Sequence, residues 1–329
     1  MNHGSTQTIT RGNMNRGDYI SRINTVMNYI ENHIEEDLSL ASLARIAAFS
    51  PFHFHRIFKA MVGENVNEFV KRIRIEKSAH YLVNRSDLSI TDIAYAFGFT
   101  SLSTFSRAFS KHFGVSARNY RKNQQHRKNR QVCRKNRQEL LGEESYAGNV
   151  ANGVDHQMDV ERVRIERLPE LHVDYVRNSY GFSKGVLSKE IVEAFNKAEA
   201  WLKQNNLDLR KSMEIGIMYD NPDITVSDKC RYDAAYTIPA EISDSFGHEE
   251  VDIQDVTAGL YAVYTIRLTN VSSEEEVIAQ LGHVVDYMYG RWLPDSDYLL
   301  ANRPCLEIYH TELQGAVVIL DFCLPIEKG

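Results

Sequence analysis

Along the first third of the chain apolar residues recur three or four positions apart. Along the second half most apolar runs alternate, so helices should give way to strands. Ile23, Val26, Met27, Ile30 and Ile34 make one helical stripe, and Val66, Phe69, Val70 and Ile73 open a long helix reaching about Arg85. Around that helix the sequence repeats itself with a period near fifty. Asp37-Leu38-Ser39 returns as Asp87-Leu88-Ser89, Leu43-Ala44 as Ile93-Ala94, and Phe49-Ser50 as Phe99-Thr100. Phe54, Arg56, Phe58 and Gly63 return as Phe105, Arg107, Phe109 and Gly114. Each copy predicts a helix, a short turn and a second helix, the second helices lying at about 51–60 and 101–112. Ser39 and Ser89 are suited to N-cap the first helix of each copy, and Asp92 adds capping-box spacing. Gly98 supplies a permissive backbone for the second turn. Ala48 holds the matching place, at a cost of roughly 1 kcal/mol or more if the turn is left-handed.

In the second half the alternation predicts strands at 159–167 with 171–177, at 213–219 and 231–238, then at 257–268, 304–310 and 316–324. Helices are expected at 186–205 and 273–292, the first gathering Ile191, Ala194, Phe195, Ala198 and Leu202 on one face. A second repeat runs here with an offset near ninety: Leu171 and Tyr175 return as Leu260 and Tyr264, Trp201-Leu202 as Trp292-Leu293, Tyr219 as Tyr309, and Ile238-Pro239 as Leu324-Pro325. The expected fold class is therefore multidomain. An all-α N-terminal domain with two helix-turn-helix units, over 18–121, precedes an α+β domain of duplicated β-α-β-β units, over 158–329. Residues 1–17 read as a disordered tail and 122–157 as a basic, then polar, linker. Two antiparallel sheets with helices on one side would leave their other faces looking across a cleft, a natural small-molecule site.

Charge sharpens this picture. The net charge is −6, yet residues 1–138 carry 22 Lys and Arg against 10 Asp and Glu, and the remainder carries 16 against 34. Such polarity suits one half that meets a polyanion. Much of the excess sits at 121–138, however, so charge alone does not carry a DNA claim. The four cysteines, Cys133, Cys230, Cys305 and Cys323, lack CxxC spacing and read as free thiols in a reducing compartment. His53 and His55 diverge on a helix, so no metal site is expected. No apolar run is long enough for a membrane span, and the polar N-terminus does not read as a secretory signal. A cytoplasmic protein without membrane association and without a cofactor is expected.

The stretch ITDIAYAFGFTSLSTFSRAFSKHFGVSARNYR makes the first half specific. Its Ile-Ala pair, Gly98-Phe99, Phe105, Arg107, Phe109, Gly114 and Tyr120-Arg121 resemble the DNA-binding domain of the AraC/XylS regulator family. Ala117 departs from the family's usual Pro and should alter only the start of the last helix. The resemblance implies two recognition helices entering major-groove faces about 34 Å apart on double-stranded DNA. By motif position Phe52, His55 and Arg56, and Leu102, Ser103, Thr104 and Arg107, become base-edge candidates. Lys59, Lys111, Arg118 and Arg121 suit phosphates.

Residues 158–326 resemble the GyrI-like (SHS2-type) domain family. In that family a glutamate at the position of Glu307 binds cationic ligands in an aromatic pocket. Strand alternation in RPCLEIYH sets Leu306 and Ile308 against Cys305, Glu307 and Tyr309. If the aliphatic pair packs under the helices, Glu307 faces the cleft. The repeat sets Ile217 opposite Glu307, making the carboxylate peculiar to the second unit. Tyr175, Tyr264, Tyr309 and Trp292 are the aromatic candidates, with Cys305 beside them. The implied function is a non-enzymatic transcription regulator, an activator touching RNA polymerase, responsive to a small lipophilic cation and working as monomer or homodimer. The alternative is a hydrolase of reactive toxins using Glu307 and Tyr309.

Overall fold

A computed structural model describes residues 16–127, 163–178, 188–222, 224–242, 250–269, 274–310 and 317–329. The tail before residue 16, Cys133 and most of the expected linker lie outside the described residues. Seven helices make the first part: α1 (Arg16–Asn32), α2 (Leu40–Ile46), α3 (Pro51–Val62), α4 (Val66–Asn84), α5 (Ile90–Ala96), α6 (Leu102–Phe113) and α7 (Ala117–Arg127). Their ends are chemically marked. Ser39, Ser50, Ser89 and Ser101 each accept a first-turn N–H through the side chain, and Asn65 with Glu68 and Ser89 with Asp92 form complete capping boxes. Gly63 and Gly114 close α3 and α6 in the left-handed region. Helix α7 runs six residues past the expected domain end, to Arg127.

Both tight turns are left-handed, with φ of 53° at Ala48 and 72° at Gly98. Ala48 therefore bears the strain anticipated from the repeat, and Arg22 Nη1 steadies that turn by donating to the Ala47 and Ala48 carbonyls at 3.1 and 3.2 Å. Gly98 has a second reason to be glycine. A Cβ there would stand 2.6 Å from the Arg74 guanidinium and 2.8 Å from the Ile34 carbonyl oxygen. One buried cluster runs through all seven helices, from Ile23 and Ile30 through Phe54, Phe58, Phe69 and Ile73 to Phe105, Phe109 and Ala117. Helix α4 is the shared spine of both helix pairs.

The second part contains nine strands: β1 (Val163–Leu168), β2 (Leu171–Asn178), β3 (Glu214–Met218), β4 (Tyr232–Thr237), β5 (Asp252–Val256), β6 (Gly259–Thr269), β7 (Tyr298–Leu300), β8 (Cys305–His310) and β9 (Val317–Lys328). Helix α8 (Lys189–Gln204) follows β2. Helix α9 (Glu274–Tyr287) follows β6 and continues through a π-helical turn at Met288–Trp292. Strands β5 and β7 are absent from the alternation reading, β7 because it is short and β5 because Asp252, Gln254 and Asp255 make it mostly polar. The strands form one antiparallel sheet in the order β1-β6-β9-β8-β3-β4-β2-β5, with β7 on the end of β9, and not two sheets facing across a cleft. The join is the β3–β8 pairing, where Gly216 lies beside Glu307 and Ile215 beside Ile308.

The two faces are reversed relative to expectation. Leu306 and Ile308 pack with Ile215, Ile217, Val173, Tyr261 and Val263 in a cluster that draws on strands from both ends of the sheet, so the sheet curls over this side. The helices cover the other side. Helix α8 packs on Tyr232, Ala234 and Tyr236, and α9 on Tyr264, Leu320, Phe322 and Leu324. Glu307 therefore faces the helices. Ile217 lies on the opposite face from Glu307 and is not its counterpart, because a one-residue slip in a repeat alignment turns every side chain over. Among the described residues no helix is long and apolar enough to cross a membrane.

Candidate DNA interface and ligand cavity

On α3 the buried face is Phe54 and Phe58, and the opposite face is open. Phe52 is 74% exposed, and the Arg56 guanidinium lies over its ring with 5.8 Å to the centroid. Arg56 and Lys59 are exposed and His55 is half-buried. On α6 the buried face is Phe105, Ala108 and Phe109, while Leu102, Ser103, Thr104, Arg107 and Lys111 are exposed. Aromatic anchors at a helical period turn each helix, so the motif residues are left outside. Thr104 doubles as part of the cap, sharing a 2.9 Å hydroxyl contact with Ser101. Arg118 is exposed, but Arg121 is not: its Nε donates to the Leu82 carbonyl at 3.1 Å and ties α7 to the end of α4. It leaves the set of phosphate candidates for that reason.

A cavity of about 180 Å³ lies against the helical side of the sheet. Glu307 and Cys305 of β8, Met218 at the end of β3, Phe322 of β9 and Ile278, Leu281 and Val285 of α9 line it. Tyr289 of the π-helical turn lines it too, and its hydroxyl lies 3.2 Å from the Cys305 Sγ. Glu307 is 3% exposed. Its Oε2 accepts hydrogen bonds from Tyr309 at 2.9 Å and Tyr232 at 3.0 Å. Burial pushes its carboxyl up to about 7, against the lowering effect of those two donors. The same burial pushes the Cys305 thiol up to about 12 and raises both tyrosine hydroxyls well above their ordinary range. Among the described lining residues the other carboxylate, Asp220, is paired with Arg231 at 2.7 Å. Glu307 has no cation partner among the described residues.

Several expected lining residues stand elsewhere. Tyr175 is buried on the opposite side of the sheet and accepts from Asn28 of α1 at 3.1 Å. Tyr264 packs under α9 against Tyr287, with centroids 5.9 Å apart. Trp292 stacks on Tyr298 at 6.2 Å, away from the cavity. Tyr175 fails because the faces are exchanged, Tyr264 shares the face of Glu307 but is separated from it by Phe322 of the intervening strand, and Trp292 is held against β7 by its stack on Tyr298. Tyr232, which bonds Glu307, went unread. Tyr232 needs the space that Gly216 leaves, since a Cβ at 216 would fall on the Tyr232 hydroxyl. The available signal was a pair of tyrosines flanking an alanine on one strand face, Tyr232-Ala234-Tyr236, beside a glycine in the neighbouring strand.

The cavity is not confined to the second domain. Lys77, His80 and Tyr81 of α4 also line it. The domains meet over a wide polar seam in which Arg231 bonds Glu31 at 3.0 Å, Thr225 donates to Glu76 at 2.9 Å, Lys229 reaches Glu64 at 3.1 Å, and Asn24 donates to Asp252 at 2.7 Å. Arg72 joins Glu64 and Glu76 inside that seam.

Comparison with known proteins agrees with this division. A helix-turn-helix domain model matches residues 43–123, and a model of the GyrI-like small molecule binding domain matches residues 161–326. The chain is 33% identical over 103 residues to the "Probable transcription factor PqrA" of Proteus vulgaris, covering 31% of this chain and 84% of that protein. It is 33% identical over 105 residues to the right origin-binding protein of Escherichia coli (strain K12), covering 32% of this chain and 36% of that one. Among solved structures, the C-terminal domain of AraT, a response regulator from Geobacillus stearothermophilus, shares 33% identity over 31% of this chain and 84% of its own, with a TM-score of 0.30. The chain thus spans only about a third of the length of relatives such as the right origin-binding protein. With the second model matching half the chain and the first filling its helical part, the chain belongs to the AraC/XylS-type transcription regulators that carry a GyrI-like small-molecule-binding domain.

Proposed function

We propose that this protein is an activator that reads an asymmetric duplex site with α3 and α6 and responds to a small lipophilic cation held at Glu307. The observation that carries the reading is a buried carboxylate without a cation partner, opening on a mostly apolar cavity. Both tyrosine bonds fall on Oε2, which leaves Oε1 for a ligand. Burying such a charge is costly unless it is paired, so the site favours a ligand that brings the positive charge with it. Tyr289 and Phe322 offer ring faces for the cation's organic body.

The helices α2 with α3 and α5 with α6 act as two helix-turn-helix units on one spine, a reading supported by their matched caps and matched left-handed turns. Duplication of a β-α-β-β unit is supported by the strand order: β2, β4 and β3 mirror β6, β9 and β8 about the central β3–β8 pair. Turnover of a toxin is less well served than binding. Both tyrosine hydroxyls are raised in pKa and spent on Glu307, so neither supplies a phenolate.

The test is calorimetry on the full chain with benzyltrimethylammonium, a permanent cation on an aromatic ring. Binding to the wild type and loss of tenfold or more in Glu307→Gln is the expected result. Equal affinity in the two proteins removes Glu307 from the site. Transcription from promoters found by genome-wide occupancy, rising with effector and purified RNA polymerase, tests the activator role; a fall would make the protein a repressor.

A further inference from the structure

The ligand cavity has a wall that belongs to the DNA-binding domain. Lys77, His80 and Tyr81 stand three and four positions apart on α4, so they form one face of that helix, and all three line the cavity. The His80 ring lies 5.3 Å from the Tyr289 ring, centroid to centroid, and Lys77 Nζ donates to Asn302 at 2.9 Å. The same helix is the core spine of both helix pairs: Phe69 and Ile73, earlier along that row, and Leu82 on the other side are buried in the core, and Tyr81 packs edge-on against Phe97 of that core. A second element makes the same connection. The segment after β3 lines the cavity with Tyr219, Asp220 and Asn221 and then reaches α4 through Thr225 to Glu76, and the turn before α4 through Lys229 to Glu64.

We infer that the effector binds between the two domains, with α4 as a ligand-contacting wall, so that ligand and DNA compete or cooperate through the helix that spaces α3 from α6. This rests on the effector reading above and adds to it the place where the signal crosses. No passage through the tether between the domains is required, because the ligand touches the spacer directly. Lys77 and Asp220 already hold partners, Glu31 and Arg231, so the α4 wall contributes shape and ring contact more than charge. It thereby sets the length of ligand the cavity accepts. Coupling of this kind is reciprocal: whatever factor the ligand imposes on DNA affinity, DNA imposes on ligand affinity.

The experiment uses the full chain, benzyltrimethylammonium and a duplex that the chain itself enriches from a random pool. His80→Trp fills the cavity from α4 and His80→Ala removes the ring, so one informative variant remains if the other fails to fold. Either folded variant should change affinity for the cation tenfold or more. Saturating duplex should change the wild-type affinity at least fivefold, and saturating cation should change duplex affinity by that same factor. Unchanged cation affinity in a folded His80 variant, or a cation affinity indifferent to duplex, overturns the interdomain site. If Glu307→Gln still abolishes binding in that case, the effector reading survives alone. If the wild type does not bind the cation, both fall together.

Discussion

Glu307 is held where ionisation is costly, and that cost sets its behaviour with pH. Its carboxyl is pushed up to about 7, so in the folded protein it is protonated below that value and charged above it. A permanent cation should therefore bind more weakly as pH falls, by about tenfold per unit below 7, and level off above 7. Binding near neutral pH should release a proton, visible as a heat that depends on buffer ionisation enthalpy. A flat affinity from pH 5 to 8 would mean that Glu307 carries no charge in the complex. Two backbone positions give a second test at this scale. Ala48 sits at φ 53°, where its Cβ bears the left-handed penalty, so Ala48→Gly should raise stability by about 1 kcal/mol in urea titration. Gly98→Ala should do the reverse and cost more than about 2 kcal/mol, adding displacement of Arg74 to the same penalty. Loss of similar size from both substitutions would show that the two turns are not equivalent.

At the scale of the element, α3 and α6 are built alike and armed differently. Each buries two phenylalanines and ends in a left-handed glycine, which fixes the rotation of the helix and leaves one face outside. The exposed face of α3 presents Phe52, Arg56 and Lys59, whereas α6 begins with Leu102, Ser103 and Thr104 before Arg107. Arginine can bond both O6 and N7 of one guanine; a short hydroxyl discriminates less. Arg56→Ala should cost about 1–3 kcal/mol of binding to the enriched duplex and relax one base position, as read by gel-shift titration. An equal loss on random duplex would assign Arg56 to the phosphates. Selection on the α6 side should be looser, with fewer invariant positions in the enriched pool.

At the scale of the molecule, the domains are joined by ion pairs, the central one largely buried. Arg231 bridges Asp220 and Glu31, and all three are buried. Removing the cation leaves Asp220 without its salt-bridge partner and Glu31 with Lys77 alone, so Arg231→Met should cost about 3–5 kcal/mol. The loss should appear in urea unfolding of the full chain and should be accompanied by altered cation affinity. A loss under about 1 kcal/mol would mean that the seam opens easily in solution.

The sequence by itself determined most of the parts: the helices and all strands but β5 and β7, the caps at Ser39 and Ser89 and the two tight turns, which face of α3 and α6 is left outside, and that Glu307 and Cys305 share a side of their strand. These follow from local periods and local backbone chemistry, which a repeat makes legible twice. Only the tertiary structure decided which side of the sheet that was, that the two halves form one sheet, and that Tyr175, Tyr264 and Trp292 stand away from Glu307 while Tyr232 stands against it. Strand alternation fixes a side chain's face relative to its neighbours, but not what covers that face. Nor does any local period reveal that Arg72, Glu76, Lys77 and His80 of α4 face another domain, because a polar helix face reads alike whether it meets water or a polar seam.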